Sequence, residues 1–159
     1  MTATSITPLK QSPDFGPSGG AATFLGFLRE ELIPFIDSTY RTVPGDRAIA
    51  GHSLGGLFIA YVLTHAPETF QKYSVGSPAL WFDDEVWQKW EAEYAAAHRN
   101  LPARIYINYA EDDPHMITDS ERRFCDKLRS HNYAGLDQLD LAVQRQPISP
   151  PIWRRSRKH

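Results

Sequence analysis

Cysteine is almost absent from this 159-residue chain. The single Cys125 excludes an internal disulfide. Its helical spacing with Phe124 and Leu128 predicts a buried structural thiol. No pair of cysteines or histidines has metal-ligand spacing, so no metal is expected. No apolar run approaches the ~20 residues that cross a bilayer. Met1 to Ser5 lacks the basic segment and apolar run of a secretory signal, so a cytoplasmic location is expected. An excess of one charge is missing too. With 17 Lys and Arg against 19 Asp and Glu, the net charge is −2, which gives no field for nucleic acid or an anionic membrane.

What is present is a chain of single-domain size with apolar content for one core. The first 20 residues, rich in Pro, Ser, Thr and Gly, read as a surface loop. From Ala21 to Tyr40 apolar residues recur at helical spacing, and Pro34 is expected to kink that helix. Arg47 to Gly51 reads as a buried strand, Leu54 to His65 as a helix buried behind a sheet, and Tyr73 to Gly76 as a second strand. Asp83 to His98 reads as an amphipathic helix, Arg104 to Tyr109 as a strand, Thr118 to His131 as a helix and Leu139 to Val143 as a fourth strand. Alternating strands and helices predict an α/β fold, a mostly parallel sheet with helices on both faces.

The most telling stretch is Gly51-His52-Ser53-Leu54-Gly55, a G-x-S-x-G between an apolar strand and an apolar helix. A nucleophile elbow needs that context. Ser53 then sits on a sharp turn with its hydroxyl above the sheet, and Gly51 and Gly55 leave room for the crowding. The helix aims its first amides at the site, so the Leu54 N–H can stabilise an oxyanion.

Further blocks accompany the elbow: Glu30 to Ile36, Tyr40-Arg41-Thr42, Pro67-Glu68-Thr69-Phe70, Ser77-Pro78-Ala79-Leu80-Trp81 and Glu111 to Met116. Together they resemble the esterase D branch of the α/β-hydrolases, especially the enterochelin (siderophore) esterase-like proteins, from about Thr7 to Leu141. The resemblance implies carboxylic-ester hydrolysis through an acyl-serine on a small-molecule ester, without metal or cofactor. It also implies strands before the elbow and a catalytic histidine near the C-terminus, and this chain departs on both. It starts too late to contain the early strands, so a partial α/β-hydrolase domain over residues 1–143 is expected. No histidine occurs between His131 and His159. Residues 144–159, with paired prolines and the cluster Arg154 to Lys158, form an irregular tail with no amphipathic period. A shifted reading frame is the expectation there: with suitable synonymous codons, Gln144 to Ser149 reads Glu-Ala-Thr-His-Ile-Ser in another frame. Reading the gene in all three frames decides it, and absence of that histidine codon ends the idea.

For the acid, the turn after Tyr109 offers Asp112 first by motif, Asp113 next and Glu111 third; the plain alternative is a solvated turn capping the next helix. For the base, His52 beside the serine is expected to pack or line the pocket. His65 and His98 are expected to compensate helix ends. His115 and His131 are weak candidates and His159 is terminal. Trp81 is either a pocket wall or a core residue. The expected function is thus a serine esterase impaired by a missing histidine. Two alternatives stand beside it, a catalytically inactive fragment that binds a partner or self-associates through an exposed sheet edge, and an acyltransferase of the same fold.

Overall fold

The computed structural model describes residues 19–144. The first 18 residues and the tail, with His159 and the proposed frame shift, lie outside the described residues. Residues 21 to 39 are helical without a break: α1 (Ala21–Phe27), a π-helical turn (Leu28–Leu32) and α2 (Ile33–Thr39). The π turn takes the place of the expected kink. Pro34 lacks an N–H and its ring crowds the Glu30 carbonyl, and widening the preceding turn relieves that clash.

Four strands follow, β1 (Ala48–His52), β2 (Lys72–Gly76), β3 (Asn100–Ala110) and β4 (Ala134–Gln144). They form one sheet in the order β1-β2-β3-β4, every pair parallel. Between them run α3 (Leu54–His65), α4 (Phe82–Glu85), α5 (Trp87–Ala97) and α6 (His115–Ser130). The helix expected from Asp83 begins only at Trp87, because Asp83, Asp84 and Glu85 have φ of 51°, 52° and 60°. Aspartate tolerates that region; glutamate does so less readily and is tied down by ion pairing with Arg123. β3 starts four residues earlier than expected. Pro102 sits inside it, and the register slips on either side of Ala103 to absorb the missing donor.

The registers place Tyr73, Ile105 and Leu139 level with Ile49, and Val75, Ile107 and Leu141 level with Gly51. These residues face the helices, and with Ile59, Val62, Leu63, Phe124, Cys125 and Leu128 they form the core. The alternate residues Ala48, Ala50, His52, Lys72, Ser74, Arg104 and Tyr106 are exposed. Among the described residues, then, the helices cover one face of the sheet, and the expectation of helices on both faces is corrected. The cause is topological. Right-handed crossovers that each step one strand in the same direction all land on the same side. β1, expected to be buried, is a half-exposed edge for the same reason. Cys125 is fully buried and burial pushes its thiol up to about 12, which suits a packing role. Among the described residues, no helix is long and apolar enough to cross a membrane.

Candidate active site

β1 ends at His52 and α3 begins at Leu54, leaving Ser53 alone at the junction with φ 55° and ψ −118°. A side-chain-bearing residue is rarely found there, so neighbouring bonds must hold it. The Ser53 N–H donates to the Gly76 carbonyl (3.0 Å), and the Ser53 carbonyl accepts from the N–H groups of Ala79 (3.0 Å) and Leu57 (3.1 Å). These bonds tie the elbow to the carboxyl end of β2. A Cβ on Gly51 would stand 2.6 Å from the Gly55 carbonyl oxygen, and one on Gly56 would stand 2.6 Å from Pro78 Cβ. At Gly55 nothing lies within 4 Å. Close packing therefore requires glycine at 51 and 56, while Gly55, expected to be needed, has room. Gly56 went unnoticed in the sequence, where the Gly55-Gly56 pair was its signal.

A cavity of about 840 Å³ opens beside the serine, and Ser53, Leu54 and Trp81 all line it. The Leu54 N–H, at the start of a 12-residue helix, has no partner within that helix and is available to an oxyanion. His52 is not part of that lining. It is level with Gly76 on the exposed sheet face, 3.4 Å from where a Gly76 Cβ would be.

The acidic loop follows β3. The Asp113 Oδ2 accepts from the Ser77 Oγ (2.7 Å) and from the Ala110 N–H (2.8 Å), which binds this loop to the one that follows β2. Asp112 is exposed on the same turn. Asp113, Glu111 and His115 border a second cavity of about 340 Å³ that reaches Val143 near the end of β4. Asp112 does not border it. Truncating Asp113 to alanine is expected to cost about 1–3 kcal/mol by orphaning the Ser77 and Ala110 donors. Asp112→Ala should stay within about 0.5 kcal/mol of the parent in urea denaturation.

Glu121 of α6 lies near Asp113 and is fully buried, with neither carboxyl oxygen hydrogen-bonded. Burial, aided by the Asp113 charge, raises its carboxyl to about 8. The folded state therefore holds this proton more tightly than the unfolded chain does. The stability this gives is complete below about pH 4.5 and lost as pH rises through about 8. Glu121→Leu is expected to flatten that slope and to gain on the order of a few kcal/mol at pH 9, read from urea midpoints between pH 4 and 9.

No described histidine lines the Ser53 cavity. His65 stacks on Tyr61 at 3.8 Å with its Nδ1 2.9 Å from the Tyr61 carbonyl in the last turn of α3, and burial lowers its pKa. His98 stacks on Tyr94 at 4.4 Å, and the His131 Nε2 stands 2.9 Å from Oε1 of buried Glu91. Both precede the starts of their strands, at the opposite end of the sheet from Ser53. No group of three or more His, Cys, Asp or Glu among the described residues is placed to hold a metal ion.

Comparison with known proteins decides the lineage. The family named Esterase matches residues 11–134. The chain belongs to the esterase family. It is 32% identical over 141 residues to the ferri-bacillibactin esterase BesA of Bacillus subtilis, covering 84% of this chain and 49% of that relative. A solved structure of the BES protein from Bacillus cereus aligns with a TM-score of 0.73 at 23% identity, over 86% of this chain and 52% of the other. An IroE-like serine hydrolase from Shewanella oneidensis aligns with a TM-score of 0.71 at 27% identity, over 87% and 45%. This esterase-family chain thus spans about half the length of the relatives it matches.

Proposed function

We propose that this chain carries the acylation centre of a carboxylic-ester hydrolase, with Ser53 as nucleophile. One observation carries the reading: a serine held at positive φ on a strand-to-helix junction that opens on a cavity. In the reaction Ser53 Oγ attacks the ester carbonyl while its proton passes to a base. The oxyanion is met by the Leu54 N–H, the alcohol leaves, and water then cleaves the acyl-serine. Asp113 supports the role of acid better than Asp112, because it borders the cavity that reaches Val143, where a base following β4 would meet it. Similarity to siderophore esterases suggests a siderophore-like or other small ester as substrate.

A base is needed for this chemistry, and its loss costs on the order of a million-fold in the best-studied serine protease. Hydrolysis of p-nitrophenyl acetate by this chain is therefore expected to run near the buffer rate. Added imidazole should restore part of the missing proton transfer, and that gain should vanish in Ser53→Ala. An imidazole effect equal in both proteins overturns the reading.

The uncovered sheet face favours a second reading, self-association. Among the described residues β1 is an edge strand, and Phe24 and Phe27 of α1 and Phe35 of α2 are 50%, 41% and 57% exposed. Sedimentation is expected to show a mass that rises with concentration above the 18.0 kDa monomer and falls back with Phe27→Lys and Phe35→Lys. A mass fixed at the monomer value would exclude it.

A further inference from the structure

We propose, resting on the reading of Ser53 as the acylated serine, that the cavity beside it takes neutral esters bearing a large aromatic or otherwise apolar group and rejects anionic ones. Six aromatic side chains wall the cavity, five from α1, α3, α4 and α5 and one, Trp81, from the loop before α4: Phe24, Phe58, Tyr61, Trp81, Phe82 and Trp90. They brace one another, with ring centroids 5.0 Å apart for Phe24 and Phe58, 5.2 Å for Tyr61 and Trp90, and 6.1 Å for Trp81 and Phe82. The walls are thus largely formed before a ligand arrives, which lowers the ordering cost of binding. Apart from Ser53, the rest of the described lining is glycine, alanine and leucine, with no lysine, arginine, histidine, aspartate or glutamate.

The size suits a ligand well beyond a single ring, since small-molecule pockets run from about 300 to 1,000 Å³. Its polar features are the elbow, the Tyr61 hydroxyl and the indole N–H groups of Trp81 and Trp90; of these only the elbow pairs a nucleophile with an oxyanion donor, so the ester carbonyl belongs against Ser53 and the Leu54 N–H. Everything beyond that carbonyl meets rings and methyl groups. Aromatic faces are electron-rich and repel an anion, and the described lining offers no cation in return for its lost hydration. A neutral aryl ester buries its rings against rings.

Binding is best measured in Ser53→Ala, so that the result does not depend on whether the chain can hydrolyse anything. Calorimetric titration with 2-naphthyl acetate, and with the same ester carrying a 6-sulfonate, compares one aromatic surface with and without charge. The neutral ester is expected to bind at least tenfold tighter. Phe24 is half exposed, so Phe24→Asp places a charge in the wall with little disturbance of the core and should weaken 2-naphthyl acetate at least tenfold. Phe24→Ala should weaken it about threefold and keeps the question open to test if the aspartate unfolds α1. Equal affinity for the two esters, tighter binding of the sulfonate, or affinity unchanged by either Phe24 substitution would overturn the proposal.

Discussion

Gly51→Ala is expected to lower stability by about 3 kcal/mol or more, a large share of the total for a domain of this size, and to collapse the elbow. The added Cβ would meet the Gly55 carbonyl oxygen at 2.6 Å and its carbon at 2.7 Å, with Ile59 Cδ1 at 3.1 Å. The first two contacts are backbone at the start of α3 and cannot rotate away. Relief requires β1 and α3 to separate, which would break the Ser53 N–H bond to Gly76. Gly55→Ala is the matched control. It adds the same methyl group into open space at a helical position, and alanine propensity makes it neutral or stabilising by up to about 1 kcal/mol. Urea midpoints of the two variants, both inside the same five-residue motif, should fall on opposite sides of the parent. Equal destabilisation would mean that the motif's glycines are not distinguished by contact with α3.

The other large effect separates activity from stability. Ser53→Gly is expected to abolish the imidazole-assisted acylation completely while raising stability by about 1 kcal/mol. Serine at φ 55° and ψ −118° carries backbone strain of roughly 1–3 kcal/mol. Glycine enters that region without strain but loses about 0.5–1 kcal/mol through the freedom of its unfolded chain. The strain relief is the larger of the two. Ser53→Ala removes the hydroxyl and keeps the Cβ, so it should be equally inactive with stability close to the parent. Thermal melts of the three proteins give the order: glycine highest, serine and alanine together. A glycine variant that melts below the parent would show that the serine is not strained.

The elbow was legible because sequence spacing encodes it directly: glycine, serine, and a change from strand to helix within five residues. The uncovered sheet face was legible only in part. Arg104, Tyr106 and Asn108 alternate with Ile105, Ile107 and Tyr109, the period of a strand with one wet face. In β1 the exposed positions are held by Ala48 and Ala50, whose small apolar side chains hide the same alternation. Pro102 concealed the start of β3, since a proline ordinarily argues against a strand and its accommodation by slipped register cannot be read from composition. Which of Asp112 and Asp113 meets Ser77 was beyond spacing altogether. It depends on a turn closed by the Asp113 N–H on the Ala110 carbonyl at 3.1 Å, which leaves one carboxylate facing Ser77 and the other in water.

Intact-mass and peptide mapping after treatment with a fluorophosphonate test the assignment of Ser53 most directly, because the reagent phosphonylates a serine that faces an oxyanion site and gives up its proton to a base. With no histidine in the described lining of the cavity, weak modification confined to Ser53, raised by added imidazole and absent from Ser53→Ala, is the expected result. An adduct on any other residue, or one that persists in Ser53→Ala, would contradict it.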